Sequence, residues 1–138
     1  MSLKTVTTAL TVAIVLFVLS FGTTYVLAPG AIAPGFGPPE WPAGDGGGFL
    51  VLKGVRDVVG GLVLAALLLT GQRRALGWAL LVYTLIPIGD MTTVLAHGGS
   101  TGVALGVHGL TAVLLAATGL LVLREVRATA SAPVPAAH

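Results

Sequence analysis

Lys53, Arg56 and Asp57 fall within one five-residue stretch, and Asp90 and His108 each stand alone inside otherwise apolar runs. A charged side chain in hydrocarbon costs at least about 2–3 kcal/mol on insertion scales, so each of these residues needs a compensating role. Together they hold the parts of acid/base chemistry. Asp90 or Asp57 would serve as general base or acid, His108 as its proton partner, and Arg56 or Lys53 would steady developing negative charge. The charges balance, two cations against two carboxylates, when His108 is neutral, as burial prefers. An Arg56–Asp90 fork would join two elements at once, since a guanidinium can bind a carboxylate through two parallel bonds. Lys53 lies higher, where its long stem could equally carry the ammonium to the interface.

Other chemistries lack their residues. The chain has no cysteine, which removes disulfides, thiolate metal sites and thiol redox chemistry together. His97, His108 and Asp90 could supply three metal ligands, but they lack clustered spacing, and Lys53 and Arg56 would repel a cation. No metal or cofactor is expected. His97 adjoins Gly98 and Gly99 and reads as a solvated helix end. Phosphate-cradling, dinucleotide and nucleophile-elbow patterns are absent, and the glycines between 44 and 48 have loop composition. A scattered net charge of +2 does not make a nucleic-acid surface.

The elements that must position these residues follow from composition. Of 138 residues, 55% are hydrophobic and 9% charged, with mean hydropathy +0.99. Soluble domains carry roughly 25% charged residues. About 20 apolar residues at 1.5 Å each cross a bilayer. Four segments qualify, at about 6–28, 49–70, 75–96 and 101–123, so the expected fold is all-α, a single four-transmembrane-helix bundle over residues 1–128. Lys4, Arg73, Arg74, Arg124 and Arg127 would share one side and Glu40 and Asp45 the other. The positive-inside rule then puts both termini in the cytoplasm, with the chain in the inner (plasma) membrane. Ala31-Ile32-Ala33 resembles a signal-peptidase site, but the preceding apolar stretch exceeds the usual 7–15 residues, so it reads as a retained span. Seven glycines and five prolines in segment 29–48 predict irregular structure there. The alternative is a lid anchored by Phe36 and Trp41, although Trp41 suits an interfacial anchor equally. Residues 129–138 read as a disordered tail.

Depth and azimuth bring the polar residues together. Arg56, Asp57, Asp90 and His108 all fall roughly 9–12 Å below the outer boundary at the helical rise. On the second span Lys53, Arg56, Asp57 and Gly60 share an arc of about 100°. Tyr83, Pro87 and Asp90 share a face of the third, where Pro87 predicts a kink by freeing the Tyr83 carbonyl. His108 belongs to a stripe with Thr101, Ala104 and Thr111, and the first span offers Ser20, Thr23, Thr24 and Tyr25 at matching depth. Ligand contacts are therefore expected from Lys53, Tyr83, Tyr25, Thr24 and Trp41. Gly98, Gly102 and Gly106, one per turn, predict a closely packed neighbour on the opposite face of the fourth span.

The runs Lys53-Gly54-Val55-Arg56-Asp57, Arg74-Ala75-Leu76-Gly77, Pro87-Ile88-Gly89-Asp90 and His108-Gly109 resemble a family of small four-span membrane proteins of unknown function found in bacteria and fungi. More loosely, they are similar to DoxX-like four-helix membrane proteins. The resemblance covers about residues 50–123. It implies a four-helix fold and an Arg-Asp, Asp, His set on Arg56, Asp57, Asp90 and His108, with no settled activity. The expected function is binding, with acid/base conversion, of a small lipophilic molecule or quinone within the lipid bilayer. Isomerisation, cyclisation or epoxide opening would fit, since none needs a metal or thiol. The alternatives are a proton-coupled transporter, which with four spans would have to act as a homodimer, and an accessory subunit whose ion network is purely structural.

Overall fold

The computed structural model describes residues 1–39 and 46–131. Among them the chain is helical apart from its short connections and forms no strand. Four long helices carry the fold: α1 (Leu3–Leu27), α2 (Gly46–Leu69), α3 (Arg73–Ala96) and α4 (Thr101–Ala130). α1, α3 and α4 are long and apolar enough to cross a membrane. α2 matches them in length but carries Lys53, Arg56 and Asp57 in its first half. Large apolar side chains, among them Leu16, Phe49, Trp78, Leu85 and Val113, are exposed around the outside, as suits helices that face lipid.

Local signals set the ends. Ser2 caps α1, its hydroxyl accepting from the Thr5 N–H, and Ser100 caps α4 by accepting from the Val103 N–H. Gly71 and Gly98 take positive φ in the turns after α2 and α3, a conformation that costs glycine nothing. α3 is interrupted at Thr84, between Arg73–Tyr83 and Leu85–Ala96, three residues before Pro87. The interruption falls where Pro87 cannot donate to the Tyr83 carbonyl, and Thr84 itself keeps helical dihedrals. α4 contains a π-helical segment over Ala104–Gly109, after which the Leu110 N–H reaches back to the Leu105 carbonyl.

Packing follows small residues, though not the expected ones. A Cβ on Gly54 would lie 2.7 Å from the Gly22 carbonyl, so α1 and α2 cross closely there. Gly77 and Gly119 serve the contact between α3 and α4 in the same way. The stripe Gly98, Gly102 and Gly106 does not do so. A Cβ on Gly98 or Gly106 would meet nothing within 4 Å, and one on Gly102 only its neighbour Ser100. Gly98, Gly102 and Gly106 are all exposed, whereas His108 is buried and faces Asp90 of α3. Val15, Leu64, Leu76, Leu80, Leu115 and Val122 form the buried core.

Several expected boundaries move. α2 begins at Gly46 rather than Phe49, and α4 runs on to Ala130, so the first residues of the supposed tail are helical. The segment after α1 is ordered where irregularity was expected. Pro29–Ile32 makes a helical turn and Ala33–Phe36 a 3-10 turn, because Pro29 and Pro34 sit in the first turn of each, where no N–H is needed. The Ser100 N–H donates to the Gly37 carbonyl at 2.9 Å, tying this strap to the start of α4.

Candidate functional site

Beneath the strap, α2, α3 and α4 bring their charged residues to one place, as depth and azimuth predict. The Lys53 ammonium lies 2.6 Å from Asp57 Oδ2 and 3.4 Å from Asp90 Oδ2. Arg56 reaches Asp57 Oδ1 at 3.3 Å and Asp90 Oδ1 at 3.7 Å. The Arg56–Asp90 pair is thus present but long, and Lys53 makes the shorter bridge between helices. The Lys53 side chain turns inward onto the two carboxylates. It is 15% exposed and that of Arg56 47% exposed, so the arginine is the cation nearer the outside. Aromatic rings hold the lysine in place: its ammonium lies 4.8 Å from the Tyr25 ring centroid and 5.3 Å from that of Phe36.

His108 is buried, and the π segment turns it toward α3 and the strap. Such one-turn insertions recur at functional sites because they re-aim a side chain without ending the helix. Its Nε2 lies 2.9 Å from the Phe36 carbonyl, and its ring meets the Phe36 ring edge-on at 4.8 Å between centroids. A carbonyl only accepts, so Nε2 carries the hydrogen. Nδ1 lies 4.0 Å from Asp90 Oδ2, beyond hydrogen-bond reach. With the neutral ring and an ionised carboxylate, two acceptors face each other across that distance. A shared proton, or a hydroxyl donor between them, satisfies both.

These groups border a cavity of about 100 Å³ whose polar wall is Lys53, Arg56, Asp57, Asp90 and His108. Its apolar wall includes Phe21, Tyr83, Pro87 and Leu115. Tyr83 also packs on Gly60, where a Cβ would meet the ring at 3.3 Å. Tyr25 is buried behind Lys53, edge-on to Phe36. Thr24 stands apart, exposed, its hydroxyl donating to the Ser20 carbonyl; Ser20 and Thr23 are exposed too. Trp41, like Glu40 and Asp45, lies outside the described residues. His97 is exposed at the end of α3, with Nδ1 2.9 Å from the Thr93 carbonyl. Among the described residues no group of three or more His, Asp or Glu is placed to hold a metal ion.

Two features escape a reading of the sequence. One is the Phe36 carbonyl, a backbone group in a segment whose composition argues for irregularity. The other is a second polar cluster at the opposite end, where α1 begins and α4 ends. Arg73 donates from Nε to Glu125 Oε1 at 3.2 Å and from Nη2 to Glu125 Oε2, while the Thr7 hydroxyl also donates to Glu125. Thr7 and Glu125 are buried. The available signal was a lone acid, Glu125, between Arg124 and Arg127 in a helix whose other end faces the site.

A family model described as "Domain of unknown function (DUF4267)" matches residues 15–122, a stretch that includes every charged residue of the site. No curated protein and no solved structure matches the chain.

Proposed function

The chain belongs to the DUF4267 family, and from its site we propose a small membrane-embedded protein that binds a small lipophilic molecule in the cavity between α2, α3 and α4 and converts it by acid/base chemistry. In this reading all four helices span the plasma membrane and both termini are cytoplasmic, the arrangement loosely similar to DoxX-like proteins. The basic residues support the orientation, since Lys4, Arg73, Arg74, Arg124 and Arg127 gather at one end. Mutual pairing supports the crossing by α2, since Lys53, Arg56 and Asp57 compensate one another and Asp90.

The observation that carries the proposal is the facing of His108 Nδ1 and Asp90 Oδ2 beside a cavity. Asp90 accepts a proton from the ligand and passes it to His108 Nδ1, which returns it at a neighbouring position while the Nε2–H stays on the Phe36 carbonyl. Arg56 and Lys53 stabilise the negative charge that develops between the two transfers. Protons are moved and none is consumed, which suits isomerisation, cyclisation or epoxide opening.

A structural reading is favoured by one fact: both carboxylates are already paired with Lys53 and Arg56. Native mass spectrometry with lipid extraction separates the two. Wild type retains a discrete small molecule that Asp90→Asn loses while remaining folded. Empty spectra from both proteins, with the variant merely less stable, would leave only the structural role.

A further inference from the structure

The cavity adjoins a second space on its α1 side. The strap packs on the charged cluster: Phe36 lies against His108 and Lys53, and Gly37 is buried, with Val94 and Val103 around it. On the lipid-facing side, however, Val18, Phe21, Thr111 and Leu115 line both the cavity and a second space, a groove of about 440 Å³ between α1 and α4. The groove walls are apolar, with Phe17, Leu110 and Leu114 each about half exposed along them. Gly106 widens it, since a Cβ there would meet nothing within 4 Å. From Leu10 to Phe21 it follows α1 for roughly 16 Å at the helical rise.

Resting on the function proposed above, we propose that the ligand is a single-chain amphiphile with a compact, uncharged, oxygen-bearing head, which enters between α1 and α4 and leaves its chain in the groove. Size sets the head. A cavity of about 150 Å³ holds one benzene ring, so about 100 Å³ suits an alcohol head better than a ring system. Charge sets it too. Two cations and two carboxylates already balance, so a charged head would enter a low-dielectric site without a counter-ion. A hydroxyl there donates to Nδ1 or Asp90 and accepts from Arg56. At roughly 25 Å³ per carbon on the same benzene scale, 440 Å³ accommodates a chain of about 12–18 carbons.

The test uses the full chain in dioleoylphosphatidylcholine nanodiscs and 1-hexadecanol bearing a mid-chain photoactivatable diazirine. After photolysis, labelled residues are mapped by mass spectrometry. The expected result is saturable labelling along Ala13, Phe17 and Leu114 that excess 1-hexadecanol suppresses and hexadecane does not. Leu114→Trp, which fills the groove from a half-exposed position, reduces it at least tenfold. Labelling spread evenly over all outward faces, unaffected by competitor, would overturn the groove. Competition by hexadecane as effective as by the alcohol would overturn head recognition, and with it the function proposed above, while leaving the groove. A second probe with the diazirine beside the hydroxyl completes the set. If it labels Tyr83 or Pro87 saturably while the groove stays unlabelled, the pocket stands and the lateral chain site fails.

Discussion

Replacing Lys53 by Met should damage the protein far more than replacing Arg56 by Met, although the two cations sit three residues apart. Lys53 contacts both carboxylates, at 2.6 Å and 3.4 Å, from a side chain 15% exposed. Removing one partner of a buried pair costs about 3–5 kcal/mol. Arg56 remains within 3.3 Å and 3.7 Å of the same two groups. It softens the loss to about 2–3 kcal/mol, including the lost contacts with the Tyr25 and Phe36 rings. Arg56 is half exposed and its contacts are longer, so Arg56→Met costs no more than about 1 kcal/mol. On a chain of this size the lysine variant then melts roughly 6–12 °C lower.

Thermal unfolding of purified variants in one detergent measures the difference, and Lys53→Met/Asp57→Asn completes a double-mutant cycle. The double variant leaves Arg56 facing Asp90, one cation to one carboxylate, and should recover at least about 1 kcal/mol of the single variant's loss. Equal melting temperatures for the two single variants would refute the assignment of Lys53 as the buried bridge. A double variant no better than Lys53→Met would refute charge imbalance as the cause.

The cluster at the other end makes its own prediction: Glu125→Gln loses the ion pair with Arg73 and should cost about 2–3 kcal/mol in the same assay. A change under 0.5 kcal/mol would mean that Arg73 and Thr7 do not depend on that charge. The glycines can be tested as a contrasted pair. Gly54→Ala places a methyl group 2.7 Å from the Gly22 carbonyl and 2.8 Å from Tyr25, an overpacking cost of about 1–3 kcal/mol. Gly106→Ala meets nothing within 4 Å, so stability should be unchanged or raised by up to about 1 kcal/mol. Equal losses at both positions would argue that the stripe on α4 packs against something after all.

Depth arithmetic could bring Arg56, Asp57, Asp90 and His108 together because helical rise is nearly constant and each residue could be counted from a recognisable end. Side-chain choice was less legible. Whether Lys53 or Arg56 turns inward depends on Tyr25 and Phe36, and Phe36 arrives on a strap whose glycines and prolines argue for irregularity. The helix type around His108 was not legible either, although His108 and Thr111 still reach the cavity together as their spacing predicts. A turn of 100° per residue assumes an unbroken α-helix, and the π segment over Ala104–Gly109 changes the register just where His108 is aimed. The small-residue stripe misled because spacing identifies a flat face but not the helix that covers it. The pairs that do close, Gly22 with Gly54 and Gly77 with Gly119, lie on different helices and share no local pattern.

The two polar clusters supply a comparison within one molecule. Both join three helices, and both set arginine against carboxylate beside a hydroxyl or imidazole. At the terminal end the network closes: Arg73 occupies both oxygens of Glu125, and Thr7 adds a further hydrogen bond to one of them. Such a knot fixes helix register and needs no ligand. At the strap end the strongest contacts close in the same way, yet His108 Nδ1 stops 4.0 Å from Asp90, with a cavity alongside. If register were the only demand on that site, the pattern already used at the other end would meet it. Burying an imidazole nitrogen opposite a carboxylate, outside bonding distance, costs stability unless something donates between them. That difference, rather than the mere presence of buried charge, is what supports a ligand at the strap end and a purely structural role for Glu125.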